Sequence, residues 1–297
     1  MLIDKLCDTA YSDKVNLYGI CEYHQNQFIC RSLCGANEKN NVYSVAKSVT
    51  ALLTGILIEA GCVALTDTVA SIFPDALNSR NSKRWEHVQL KHLLTHTTGF
   101  SLPFLDIDQD NVLPLGDDYL SAVFRVPLVY APGEKMVYSD ANYYLISRIL
   151  SQRYGDTLHR LALDRLFNPM EIIGSAWASC PRGFSLGATG LYLSTEDMAK
   201  IGLLLLHNGT WKGRQLVPSD WVQAITKAHV RCDANTSYGY GFWLYSHSPA
   251  FWARGMLGQM IYVSPSLQSV VAWQGCCKTG GDDRLLSLLA KEEAALC

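Results

Sequence analysis

The chain reads as an α+β protein, an antiparallel sheet flanked by helices with a mainly helical region inserted between the parts that build it. Three observations point there. Short apolar runs bounded by turn residues sit towards both ends, helix-like periodicity fills the middle, and an amphipathic stretch closes the chain. The 297 residues, 48% hydrophobic and 18% charged, are enough for a large buried core.

In order along the chain, residues 16–22 and 27–33 have the pattern of two short strands around a turn at Gln25-Asn26. Residues 43–60 are apolar almost all round and stop at Gly61, which predicts a buried helix. A turn and a short amphipathic piece follow over 62–73, ended by Pro74, then a short helix over 88–95 that breaks at Thr97-Thr98-Gly99. The Asp-, Pro- and Gly-rich stretch 100–118 reads as a surface loop. Residues 119–127, 142–154 and 158–167 read as helices, with a sharp turn at Pro132-Gly133. Ser194-Thr195-Glu196-Asp197 has the form of a helix cap for 195–207. Residues 238–245, 251–255, 260–263 and 269–274 read as strands, and 283–295 as the closing helix. These spans predict a sheet domain from residues 1–40 and 186–297 and a mainly helical domain from 41–185, with the active site at their interface.

The bulk numbers exclude several classes. The formal net charge is −2 and the Lys and Arg residues are scattered, so there is no basic field for nucleic acid or a membrane surface. The longest apolar stretches, near 51–58 and 201–206, are too short to span a bilayer. The opening MLIDKLCDTA has no apolar core of a signal peptide, so a cytoplasmic location is expected, or a periplasmic one if a leader has been removed. The ten cysteines form no C-x-x-C pair and no zinc ladder. Most are expected to be buried or idle thiols in a reducing compartment, and no metal or cofactor is implied.

The first chemical signal is Ser44-Val45-Ala46-Lys47. Positions i and i+3 of a helix share a face, so the two side chains meet. Free N–H groups and the positive dipole end at a helix start favour developing negative charge on Ser44. A serine hydroxyl needs an adjacent base, and a lysine serves if desolvation leaves it partly neutral. Val49, Ala51, Leu52 and Leu53 provide such surroundings. Taken alone, the spacing also fits a helix cap beside a surface lysine. The second signal is Tyr138-Ser139-Asp140. A phenol beside an ammonium gives up its proton more readily and acts as a general base. An ordinary buried tyrosine, with Asp140 capping a helix, is the plain alternative.

More segments fall into the same pattern: His92-Leu93-Leu94-Thr95-His96-Thr97-Thr98-Gly99, Pro132-Gly133 before Tyr138-Ser139, Gly190-Leu191-Tyr192-Leu193-Ser194-Thr195-Glu196-Asp197, Tyr238-Gly239-Tyr240-Gly241, and Gly255-x-x-Gly258-Gln259 before Ile261-Tyr262-Val263-Ser264-Pro265. Together they resemble the serine β-lactamase and penicillin-binding-protein superfamily, in particular its branch of class C β-lactamases, DD-peptidases, family VIII esterases and nylon-oligomer hydrolases. The resemblance runs in order over roughly residues 40 to 275. It implies a β-lactamase/transpeptidase-like fold and a serine hydrolase acting on an amide or ester through an acyl-enzyme on Ser44, with Lys47 and Tyr138 handling the proton. By the same carry-over, the N–H groups of Ser44 and of Met256, which follows Gly255, form the oxyanion hole. The substrate is a small molecule or short peptide, and the oligomeric state is left open.

Two departures from the family pattern weigh against penicillin. Ala253-Arg254-Gly255 stands where members carry Lys-Thr-Gly or His-x-Gly, and Asp140 stands where they carry Asn. An ionised carboxylate cannot donate to a substrate carbonyl, and near Lys47 it favours the charged lysine. Arg254 offers a planar fork for a substrate carboxylate, or is simply an outward-facing strand residue. These changes point to an amidase, peptidase or esterase relative; a silent ligand-binding relative and an acyltransferase are the alternatives. Other matches read as structure. Lys278-Thr279-Gly280 follows the last strand as a turn. Gly183-Phe184-Ser185-Leu186-Gly187 lacks the strand and helix of a nucleophile elbow. His92 and His96 have zinc-pair spacing without a metalloprotease glutamate. Glu134 sits beside a turn, and Tyr240, Phe242, Trp243, Phe251 and Trp252 are mostly strand core.

Overall fold

The computed structural model describes residues 1–34, 38–77, 82–277 and 281–295. Lys278-Thr279-Gly280 lies outside the described residues. By internal packing the chain forms two compact units, Met1–Val45 with Leu191–Cys297, and Ala46–Gly190. The elements that matter are α1 (Leu2–Ser12), β1 (Leu17–His24), β2 (Gln27–Ser32), α2 (Val45–Glu59), α3 (Asp140–Tyr154), α4 (Thr195–Leu206), β3 (Val230–Arg231), β4 (Thr236–Tyr238), β5 (Trp243–Tyr245), β6 (Phe251–Gly255), β7 (Gln259–Ser264), β8 (Ser269–Gly275) and α5 (Asp283–Ala294).

The first unit carries an eight-stranded antiparallel sheet in the order β2-β1-β8-β7-β6-β5-β4-β3. Short hairpin connections build most of it, and β1 from the chain start pairs with β8 near the end, with Ile20 opposite Trp273. That pairing explains why strand patterns lie at both ends of the sequence. Side chains alternate faces along each strand. Met260, Tyr262, Val271 and Trp273 meet Ile3 and Leu6 of α1 and Leu285 and Leu289 of α5 in one apolar cluster. On the opposite face α4 lies so close that a Cβ at Gly202 would run into Val270 and Ile261. A capping box between Ser194 and Asp197 starts α4, as the sequence predicts. The result is the α+β arrangement the sequence predicts, an antiparallel sheet flanked by helices.

The stretch 238–245 is two strands, not one. Gly241 takes φ 82°, the Gly239 N–H donates to Phe242 O at 2.9 Å, and Gly239 packs on the Ile225 carbonyl, so the chain turns inside the aromatic run. The reading of the cysteines is corrected at one pair: Cys21 and Cys30 face each other across β1 and β2 and form a disulfide.

In the second unit most of α2 is buried, so its polar side chains need internal partners. Thr50 Oγ1 donates to Gly187 O at 2.8 Å and Thr54 Oγ1 to Thr50 O at 2.8 Å. α3 is buried along most of its length and ends at Gly155, which takes the left-handed conformation usual at a helix C-terminus. Ser139 Oγ bonds both the N–H and the carbonyl of Phe104, at 3.0 Å each, fastening the 100–118 loop to the head of α3. No helix among the described residues is long and apolar enough to cross a membrane.

Candidate active site

Within the first unit, the strand Asn40–Asn41 pairs with Leu191–Leu193, and Val42 N–H donates to Leu191 O at 2.8 Å. Asn41 Oδ1 accepts from Tyr43 N–H at 2.9 Å. Tyr43 then adopts φ 48°, an uncommon conformation for an aromatic residue, and Ser44, half-buried, directly precedes α2. The end of β6 abuts this lead-in: Gly255 packs on the Val42 carbonyl, and a Cβ there would stand 3.2 Å from Tyr43 Cβ. Met256 follows in a tight turn in which Leu257 takes φ 59°. Gly255→Ala is therefore expected to cost about 1–3 kcal/mol of stability and to lower turnover with it. Denaturant unfolding measures the first, and an unchanged midpoint would contradict the packing described.

In the second unit, Lys47 lies in the first turn of α2 and is fully buried. Its Nζ pairs with Asp140 Oδ1 at 2.7 Å, donates to Ala188 O at 3.1 Å, and sits 4.9 Å from the centre of the Tyr138 ring. Burial works against the ammonium, but the Asp140 carboxylate, followed by Tyr138, outweighs it and holds the Lys47 pKa above its ordinary value. Lys47 is therefore an ammonium at neutral pH. Asp140 opens α3 and is itself buried. Its neighbours Asp106 and Asp108 bring carboxylate oxygens to within 4.8 Å of its own and of each other. Burial, and then Asp140, push Asp106 upward. Gln109 Nε2 donates to Asp106 at 2.8 Å and Thr189 Oγ1 to Asp108 at 2.5 Å. Among the described residues these three are the carboxylates whose spacing would admit a cation, and the Lys47 ammonium already stands against one of them.

Tyr138 is held by a feature the motif reading assigned only to scaffold. The buried His96 ring stacks on Tyr138 with centroids 4.2 Å apart. His96 Nδ1 accepts from Ser139 N–H and lies against Asn142 Nδ2, both at 3.1 Å, while Thr98 Oγ1 donates to Asn142 Oδ1 at 2.5 Å. His92 serves locally, its Nδ1 accepting from Gln89 N–H at 3.0 Å at the start of the helix Leu90–Leu94.

Arg254, read either as a fork for a substrate carboxylate or as an outward-facing strand residue, is paired within the protein. Its Nη2 pairs with Asp282 Oδ1 at 2.6 Å and Asp283 Oδ1 at 2.7 Å. Strand alternation sends Arg254 to the face opposite Ala253 and Gly255, which are both buried. Ser185 is buried, its Oγ accepting from His159 N–H at 3.2 Å, and Glu134 Oε2 closes its turn by accepting from Ala131 N–H at 2.8 Å. The structure thus brings Lys47, Tyr138 and Asp140 together in one unit, and Gly255 and the lead-in to Ser44 together in the other. Sequence reasoning missed Asn142, Thr98 and the Ala188 carbonyl. A polar residue in the first turn of that helix, flanked by the apolar or aromatic Ala141, Tyr143 and Tyr144, was the available signal for Asn142.

A serine one turn ahead of a buried lysine, on an antiparallel α+β frame, defines the class of serine β-lactamases and penicillin-binding proteins. The β-lactamase family model matches residues 24–282, and the chain belongs to that family, whose members are generally hydrolases. An Escherichia coli K12 protein provisionally named a D-alanyl-D-alanine carboxypeptidase is 26% identical over 226 residues, covering 66% of this chain and 50% of that protein. The chain spans between 50% and 62% of the length of the first curated relatives it matches. Among solved structures, a Bacillus anthracis protein provisionally named a 6-aminohexanoate-dimer hydrolase superposes with TM-score 0.83 at 18% identity, over 97% of this chain and 81% of that one. A penicillin-binding protein from Bacillus halodurans gives TM-score 0.76 at 19% identity, over 98% and 99%. At these identities the structural likeness speaks for the fold alone.

Proposed function

We propose that the chain is a serine hydrolase that cleaves small esters or amides through an acyl-enzyme on Ser44. The observation that carries this reading is the buried Lys47 ammonium, held between Asp140 and the Tyr138 ring one helical turn after a half-buried serine.

Ser44 Oγ attacks the substrate carbonyl carbon as its proton passes to Tyr138 acting as the phenolate, the reactive form that the neighbouring ammonium stabilises, which leaves a neutral phenol. The tetrahedral oxyanion rests on the N–H groups of Ser44 and Met256, each worth on the order of 3 kcal/mol of barrier. The carbon–leaving-group bond breaks as the departing oxygen or nitrogen takes the proton back, and water then repeats the sequence on the acyl-enzyme. Asp140 sets the charge state of Lys47 and does not donate to the substrate. With alanine at position 253 and Arg254 paired internally, β6 presents no cation to a substrate carboxylate, so simple acyl substrates fit better than penicillins.

The test is turnover of p-nitrophenyl acetate and butyrate by the wild type, Ser44→Ala and Ser185→Ala. Ser44→Ala is expected to lose activity by about a thousandfold or more, and Ser185→Ala to keep it wherever the protein folds. Full activity in Ser44→Ala would defeat the proposal.

A further inference from the structure

His96 touches the Tyr138 segment at three points. Its main-chain carbonyl accepts from Val137 N–H at 2.8 Å, its ring Nδ1 accepts from Ser139 N–H at 3.1 Å, and its ring face stacks on the Tyr138 ring at 4.2 Å with 30° between the planes. The backbone on both sides of Tyr138 and the phenol ring between them are therefore fixed by one residue. His96 takes φ 57°, which turns the chain sharply after the helix Leu90–Leu94.

The protonation state of the ring follows from its partners. A backbone N–H only donates, so Nδ1 carries no proton and the neutral ring holds its hydrogen on Nε2. The Asn142 amide is oriented by Thr98, whose hydroxyl occupies Oδ1, so the amide nitrogen faces Nδ1 as a second donor. Burial, and then the Lys47 ammonium, push the imidazole well below its ordinary range. The chain Thr98–Asn142–His96 is buried throughout, and a buried network with every member paired is rigid.

We propose that His96 is a positioning residue for the reaction: a neutral imidazole, keyed by Asn142 and Thr98, that holds the Tyr138 phenol in register beside Lys47. This rests on the hydrolase reading above. His96 reaches no substrate itself; it acts through Tyr138. A displacement of about 1 Å in a proton-transferring group lowers a rate by up to about a hundredfold.

The test uses the full chain and three variants. His96→Phe keeps a ring against Tyr138 and removes the acceptor. His96→Gln restores an acceptor. Thr98→Val is nearly isosteric and releases the Asn142 amide, and it serves if His96→Phe fails to fold. Ester turnover gives kcat and KM, and 19F spectra of protein carrying 3-fluorotyrosine report the Tyr138 ring, its line identified with Tyr138→Phe. For His96→Phe and Thr98→Val, kcat is expected to fall at least about tenfold with KM within about twofold, and the Tyr138 line to move or broaden. His96→Gln is expected to recover part of kcat. A folded His96→Phe or Thr98→Val with wild-type kcat, or with the Tyr138 line unmoved, overturns the proposal. Absence of Ser44-dependent turnover in the wild type would defeat the hydrolase reading instead, and the fluorine line would then decide whether His96 holds Tyr138.

Discussion

Replacing Lys47 with methionine is expected to cost about 3–5 kcal/mol of folding stability and to lower Ser44-dependent turnover by about a thousandfold. Methionine fills much of the lysine stem's volume, so the loss reports the charge rather than a cavity. Asp140 would remain buried without its cation, with Asp106 and Asp108 close by. An uncompensated buried carboxylate is among the few single changes that destabilise this strongly. The double variant Lys47→Met/Asp140→Asn separates the two effects. Removing both charges restores most of the stability, while the site still lacks its ammonium and turnover stays low. Urea unfolding and ester turnover measure the pair. A single variant as stable as the wild type would contradict the ion pair, and a fully active one would remove Lys47 from the chemistry.

Asp140→Asn acts from the other side of the same pair, and its signature is in the pH dependence. In the wild type the Lys47 pKa is raised above 10.5. A raised lysine contributes stability that is fully present below the unfolded-state value and is lost as pH climbs through the folded one. With asparagine, burial acts on Lys47 with its chief opposing charge removed, and the folded pKa drops. Folding then releases the proton over a range in which the unfolded chain still holds it, so the variant gains stability as pH rises towards 10.5. The expected result is a variant several kcal/mol less stable than the wild type at pH 7, with the gap closing steadily on the alkaline side. Comparing the two proteins cancels the titration of the other buried groups. A gap independent of pH would show that Asp140 does not control the charge on Lys47.

Much of this was legible in the sequence, because the informative signals are short-range. Ser44 and Lys47 are recognisable together since one helical turn separates them. The sheet strands are recognisable since a half-buried strand alternates, and the cap of α4 is written in four consecutive residues. The disulfide was also within reach. Gln25 and Asn26 form a two-residue turn with φ 50° and 62°, and in such a hairpin residues equidistant from the turn face each other, which pairs Cys21 with Cys30.

What was not legible depends on tertiary placement. The partners of Arg254 were not legible because Asp282 and Asp283 lie beyond β8, far from it in sequence. His96 looked like scaffold because its part depends on a left-handed backbone conformation and on a helix far along the chain. The aromatic run 238–245 looked like one strand because its apolar character hides two glycines that must turn and pack against a carbonyl.

The most direct test of the central claim is the mass of the protein itself. Wild type mixed with p-nitrophenyl butyrate, quenched in acid within milliseconds to seconds and digested, is expected to carry one butyryl group on the peptide containing Ser44. The adduct should disappear as substrate is exhausted and be absent from Ser44→Ala. An acyl group on Ser185, or turnover that continues with no acylated Ser44 at any quench time, would contradict the assignment of Ser44 as the nucleophile.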